Sequence, residues 1–415
     1  MSDALPTSGQ DQQTPAPMAM SRIEFISLCA MMFATIAFSI DAMLPALPQI
    51  GAELSPSNLN NAQLLLTSFI LGMGLGTFFT GPLSDTFGRK PVIIAGSAIY
   101  ILSSLLAWWS QSLELVLIAR FIQGVGAAGP RVATIAIVRD LFKGREMAQL
   151  MSYTMMVFML VPAIAPALGA AIIAISGWRS IFIAFIVFSV ISILWIGLRL
   201  PEPLSRENRR PFRLSQLILA AREMWHIPSV RLTIAVQVLG YGTLFAMIST
   251  VQQIYDITFD QGDSFPLWFG AIAILSGSAG LLNASLVMRY GMRFLVTATL
   301  GVQIIFSAVM LGLNAVLPTG DLLFGIFVIW QASVFFQIGM TIGNLNALGM
   351  EPMGHMAGTA ASVMGAITTI AGAGLAVPVG LAFNGTLTPL ALAIGVEAAL
   401  GFLLMLWLRR IEQAA

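Results

Sequence analysis

The sequence predicts an all-α membrane protein, twelve transmembrane helices forming two pseudo-symmetric six-helix bundles, and three observations carry that reading. Hydrophobic residues make up 57% of the 415 and charged residues 9%, at mean hydropathy +0.88, far too apolar for a soluble chain of this length. The apolar residues gather in twelve runs of roughly 20 residues, the length at which a helix crosses a bilayer. When the runs are threaded back and forth with the N-terminus inside, every Lys and Arg outside them except Arg179 falls on one side. By the positive-inside rule that side is the cytoplasm, and both termini lie there.

In chain order, residues 1–22 are rich in Ser, Gln, Pro and Asp and read as a disordered cytoplasmic tail without the pattern of a cleaved signal peptide. The first bundle is 23–198, with spans at 23–47, 59–80, 91–109, 113–138, 149–175 and 180–198. Residues 199–231 hold seven arginines and the segment PEPLSRENRRP, a cytoplasmic linker with an amphipathic helix around Leu214 to Met224. The second bundle is 232–408, with spans at 232–254, 267–288, 294–317, 322–349, 358–382 and 389–408, and 409–415 is a cytoplasmic tail. Cys29 is alone and only His226 and His355 are present, so no internal disulfide or histidine metal centre is expected. The formal charge of +1 gives no reason to expect a nucleic-acid partner.

Between the second and third spans stands the polar stretch GPLSDTFGRK, from Gly81 to Lys90. Gly81-Pro82 is expected to end one helix, Gly88 to permit a tight turn, and Pro91 to sit in the first turn of the next. Asp85, Arg89 and Lys90 are thereby held at the membrane surface. The halves echo each other weakly. Arg289, Gly291 and Arg293 follow the pattern of Gly88 and Lys90, with Met288 where the acid would be, MAQLMS ending at Ser152 is similar to AGTAAS ending at Ser362, and Pro166 matches Pro378. Small-residue motifs also recur by chance in apolar helices. Read as a repeat, they describe a transporter that rocks two halves about a central site.

Ionisable groups inside spans mark function by default, and four stand out: Asp41, Arg120, Arg131 and Glu397. Asp41 and Arg120 lie at matching depth in the first and fourth spans, where facing each other would relieve the desolvation of both. The alternative is that Asp41 caps a short helix before Pro45. In the fourth span Arg120, Gly124, Ala127 and Arg131 recur at i, i+4, i+7 and i+11, one helix face. That face is either a cavity wall or a close packing surface, which Gly124, Gly126 and Gly129 also suit. In the fifth span Pro162, Pro166 and Gly169 are expected to bend the helix and let it flex. Glu397, in the last span, is expected to pair locally or stay protonated. Candidate substrate contacts are Gln123 and Arg131 in the fourth span, Tyr153 and Met156 in the fifth, Gln237 and Tyr241 in the seventh, and Trp330, Gln331, Phe335 and Gln337 in the tenth.

GPLSDTFGRK resembles the signature loop between helices two and three of the major facilitator superfamily, and RFIQG at Arg120 matches the motif that family associates with proton translocation. With DAMLPALP in span one, RFIQGVGAA and AIVRD in span four, and VPAIAPALG in place of the Gly-Pro pair of most drug exporters, the chain resembles the bicyclomycin and chloramphenicol resistance branch of the twelve-span drug:proton antiporters. The resemblance covers essentially Ile23 to Leu408 and is densest before Trp178. It implies a monomeric, multi-pass protein of a bacterial inner membrane that exports small amphiphilic or neutral compounds. It implies no cofactor beyond a proton gradient, with Asp41 and Arg120 coupling to protons. It further implies a cytoplasmic gate of Gly81, Asp85, Gly88, Arg89, Lys90 and Asp140, with Asp85 beside the start of span eleven at Gly358. The competing reading is export or uptake of a native metabolite, which fold does not distinguish. A membrane-embedded enzyme would need a nucleophile with a base, or a metal cluster, inside the spans, and the sequence offers neither.

Overall fold

The computed structural model describes residues 20–414; the tail expected over 1–22 lies almost wholly outside the described residues. The N-terminal half holds α1 (Arg22–Asp41), α2 (Leu47–Leu54), α3 (Leu64–Phe87), α4 (Arg89–Trp109), α5 (Leu113–Leu141), α6 (Gly144–Ser176) and α7 (Ser180–Arg199). After the linker helix α8 (Leu214–His226), the C-terminal half holds α9 (Pro228–Gln253), α10 (Phe265–Tyr290), α11 (Met292–Val316), α12 (Asp321–Met350), α13 (Ala357–Leu381) and α14 (Thr388–Ala414). With α1 and α2 counted as one broken span and α8 set aside, twelve helices of spanning length are described.

The helix ends follow from local chemistry. Ser21 caps α1, accepting from the Glu24 amide at 3.1 Å, a Ser-x-x-Glu start. A single residue, Gly88 at φ 107° and ψ 161°, separates α3 from α4, and Gly291 at φ 81° and ψ 158° separates α10 from α11 in the same conformation. Residues with a Cβ rarely adopt that backbone. The expectation of a polar loop beginning at Gly81-Pro82 is therefore corrected: Pro82 lies inside α3, which continues to Phe87. Similarly α14 runs on to Ala414, so the segment from Arg409 to Ala414 is helix rather than a separate tail. The first span, expected as one helix, stops at Asp41, passes through a short 3-10 turn at Leu44–Ala46 with Pro45 inside it, and resumes as α2.

Packing repeats between the halves. In the first, α3 and α4 pack on α5, α1 on α6 and α4 on α7; in the second, α10 and α11 pack on α12, α9 on α13 and α11 on α14. The halves meet along α3–α13 and α6–α10, a pair of seams that the same two-fold relation exchanges. One apolar core runs across both halves at the end remote from the Gly88 turn, through Met43, Leu47 and Phe69 on one side and Phe245, Val251 and Tyr255 on the other. Toward the Gly88 end that core divides into one cluster in the first half and others in the second. A further cluster joins α8 to α9 and α13, with Phe78 and Phe79 of α3 against it.

Candidate functional site

The break in α1 organises the site. Ala42 donates to the Phe38 carbonyl and Met43 to that of Ile40, so the Ser39 carbonyl loses its usual partner four residues on. Arg120 of α5 supplies one, donating through Nη2 to Ser39 O at 3.0 Å. Its Nε reaches Leu65 O of α3 at 3.3 Å and its Nη1 reaches Gln123 Oε1 at 2.5 Å. The guanidinium lies 4.4 Å from the Phe69 ring centroid, and the side chain is fully buried. Gln123 passes the chain on, donating to Ser104 Oγ of α4 at 2.6 Å, and the Ser39 hydroxyl meets Tyr100 OH at 2.5 Å.

Two expectations are corrected here. Asp41 and Arg120 form no ion pair, because the guanidinium is satisfied by the carbonyls and by Gln123, on the inner side of the bundle. Gln123 is wholly buried between Arg120 and Ser104, so it ties helices together and does not line a cavity. Asp41 itself is 5% exposed, at the last turn of α1, with no basic partner among the described residues. A carboxylate there costs free energy that its protonated form does not.

The small residues of α5 serve close packing. A methyl at Gly124 would stand 2.0 Å from the Phe69 carbonyl oxygen, and one at Gly126 2.5 Å from that of Gly96. Gly169 of α6 has the same reason, for a methyl would stand 2.1 Å from the Ala42 carbonyl oxygen. Gly169 thus admits the broken segment of the first span, while Pro162 and Pro166 lie inside an uninterrupted α6. Arg131 is half-buried and makes no ion pair among the described residues.

At the Gly88 turn Arg89 is 3% exposed and bridges Asp85 at 2.5 Å and Asp140 at 2.8 Å, so these three do form one charge network. Glu202 of the linker was not foreseen. Its carboxylate accepts from the Arg89 and Lys90 amides at 2.9 and 3.0 Å, capping α4, while Lys90 Nζ donates to the carbonyls of Gly197 and Leu200 at the end of α7. Its acid type fits a helix N-terminus, yet 112 residues separate it from Lys90 and no local pattern links them. Gly81 faces α13, where a methyl would stand 2.5 Å from Ser362 Oγ. Arg139 is also brought to Gly358, its Nη1 3.6 Å from where a methyl would stand.

Among the predicted substrate contacts, Tyr153 and Met156 are exposed on α6, at 43% and 60%. Tyr241 is half-buried and stacked on Phe245 at 5.5 Å. Gln237 donates to Asn346 at 3.1 Å and keeps a buried, unpaired carbonyl oxygen. Gln331 accepts from Tyr255 OH at 2.9 Å, leaving its buried amide nitrogen unpaired, and Phe335 meets Phe269 at 5.8 Å. Trp330 and Gln337 turn the other way. Trp330 donates to Ser307 of α11 at 3.3 Å, and Gln337 lines a groove of about 430 Å³ among α10, α11 and α12. The correction follows from helix register: positions 330, 333 and 337 share the face of α12 toward α11, whereas 331 and 335 share another.

At the remote end polar bonds also join the halves. Gln63 donates to Gln253, and Asn60 donates to the carbonyls of Phe383 at 2.8 Å and Leu381 at 3.2 Å.

Two mirrored six-helix bundles, seamed along two helix pairs with buried polar groups between membrane-spanning helices, define a membrane transporter. The profile of the Major Facilitator Superfamily matches residues 27–377, and the chain belongs to that superfamily, among relatives of drug-resistance type. It is 30% identical to a bicyclomycin resistance protein homolog of Haemophilus influenzae over 81% of this chain and 83% of that one. It is 28% identical to a chloramphenicol resistance protein of Pseudomonas aeruginosa over 79% and 76% respectively. The fold matches the crystal structure of a D-xylose-proton symporter at TM-score 0.72 and 13% identity, covering 94% of this chain and 97% of that one.

Proposed function

We propose that this transporter is a proton-coupled antiporter that exports small amphiphilic or neutral compounds, such as chloramphenicol- or bicyclomycin-like antibiotics, across a bacterial inner membrane. The observation that carries the proposal is Asp41, a buried carboxyl without a basic partner at the break in the first span. Such a group is neutral when protonated and strongly disfavoured when ionised in a dry site, so its charge state can be tied to which side of the membrane it meets. Arg120, by holding the Ser39 carbonyl, positions the broken segment that carries Asp41. The names of the relatives support the substrate class, and the excess of Lys and Arg at the Gly88 end supports cytoplasmic termini. The apolar core that joins the halves at the remote end supports a cytoplasm-facing state.

The substrate is not obligately cationic in this reading. A permanent cation in a dry cavity needs a carboxylate free to pair with it. Asp41 is occupied with the proton, Arg131 adds positive charge, and Glu397, buried within the second half, accepts from Thr243 Oγ1 of α9 at 2.7 Å. The test is efflux from cells challenged with a panel of neutral and cationic antibiotics, with the proton gradient intact or collapsed. Neutral compounds are expected to be exported only with the gradient, and Asp41→Asn to abolish uphill export while leaving the protein inserted. Wild-type export by Asp41→Asn with a proton gradient as sole energy source would remove Asp41 from the mechanism. Export that survives collapse of the gradient would remove proton coupling altogether.

A further inference from the structure

The linker helix α8 lies over α9 and α13 at the Gly88 end, with Leu217, Ala220 and Met224 buried beneath it. Its remaining large apolar side chains are not covered: Ile218 is 59% exposed, Leu219 55% and Trp225 66%. A short helix with an apolar outer face beside a membrane end lies in the interface with its apolar groups among the lipids. Between α8, the first turns of α9 and the last turns of α14 runs a groove of about 610 Å³, and Arg231 is the one charged residue in its lining. Leu403 and Trp407 of α14 form the far wall, 59% and 52% exposed, so the groove faces outward from the second half and away from the seams between halves.

The charge at its mouth is uncompensated. Arg231 lies 5.6 Å from the Trp225 ring centroid and reaches only the Trp225 carbonyl, at 3.5 Å, with no carboxylate partner among the described residues. The acid of α8, Glu223, is held instead by His355 at 2.9 Å. Arg222, one turn before Trp225, and Arg410, one turn after Trp407, are exposed and add positive charge around the opening. Two tryptophans at interfacial depth, an apolar trough between them and a guanidinium at its head match one ligand chemistry. It is an acyl chain ending in an anionic phosphate.

We propose that this groove binds a phospholipid with an anionic headgroup, its phosphate on Arg231 and an acyl chain laid along α9 between Trp225 and Trp407. A zwitterionic lipid has the same chain, but its cationic group faces the arginines and offsets the attraction. The lipid would hold α8 against the second half and so fix the linker that joins the two bundles.

The test uses the full-length protein, transferred from nanodiscs containing equal shares of phosphatidylcholine and phosphatidylglycerol and examined by native mass spectrometry for retained lipid. The wild type is expected to retain phosphatidylglycerol in preference to phosphatidylcholine. Arg231→Gln is expected to lose about fivefold in that preference, the effect of one interfacial basic residue. Arg231→Lys is expected to keep most of the preference, and Ala235→Trp, which fills the trough, to lose bound lipid of both kinds. Size-exclusion profiles identify folded variants, and Arg231→Lys and Ala235→Trp stand as readouts if Arg231→Gln fails to fold. Equal retention of the two lipids by the wild type overturns the proposal. So does undiminished retention of phosphatidylglycerol in folded Arg231→Gln, or undiminished retention of both lipids in folded Ala235→Trp.

Discussion

Arg120 shows why a buried charge need not be a charge pair. Three acceptors and two rings, Phe69 and Phe185, surround its guanidinium, and two of those acceptors are main-chain carbonyls. Hydrogen bonds from a cation to dipoles compensate desolvation without a counter-ion, provided the geometry is held on several sides. Truncation would strand those acceptors and open a cavity. Arg120→Ala is therefore expected to destabilise the folded protein by about 3 kcal/mol or more, read as a lower thermal midpoint of the detergent-solubilised protein. Arg120→Lys, which keeps the charge but reaches fewer acceptors, should fall between. If Arg120→Ala melts with the wild type, the guanidinium is not what holds the break in α1.

At the scale of elements, the helices are set against one another by backbone approaches that leave no room for a methyl. Gly169 is the most informative, because its neighbour is the carbonyl of Ala42, next to Asp41. Gly169→Ala is expected to push α6 from the broken segment and to cut transport several-fold, with a stability loss of about 1–3 kcal/mol from overpacking. Gly312→Ala in α11 supplies the comparison, since nothing stands within 4 Å of a methyl there. It should be neutral or slightly stabilising, because alanine favours helix. Equal behaviour of the two variants in transport and melting would show that the approach at Gly169 is not constraining.

At the scale of the whole molecule, two polar sets sit at opposite ends. The Asp85–Arg89–Asp140 network lies within the first half at the Gly88 end; Gln63, Gln253 and Asn60 join the halves at the other. If the bonds between halves bias a rocking equilibrium, weakening them shifts it. Gln253→Ala should favour opening at the remote end by about fivefold, the equivalent of one hydrogen bond of about 1 kcal/mol. Asp85→Asn, whose partners lie in its own half, should leave the equilibrium unshifted. Labelling of a cysteine engineered into the seam, with reagents applied from each side, reads both. A shift in Asp85→Asn, or none in Gln253→Ala, would overturn that division of roles.

The sequence by itself determined what depends on counting and periodicity. Twelve spans, the six-plus-six division and the amphipathic helix in the linker were legible because bilayer thickness sets span length and a loop's charges must stay at its surface, whereas the Asp85–Arg89–Asp140 grouping rested on the resemblance of GPLSDTFGRK and AIVRD to the superfamily's motifs. The partners of buried groups were decided only by the tertiary structure. Arg120 turns to a carbonyl freed by a break that proline at position 45 hints at but does not locate. Gln123 points inward, Trp330 and Gln337 face α11, and Glu202 caps a helix begun more than 100 residues earlier. Periodicity states which residues share a face and is silent on what that face meets. Inside a membrane every face is apolar enough to be either packed or wet, so only the packing of the helices distinguishes an interior bond from a cavity wall.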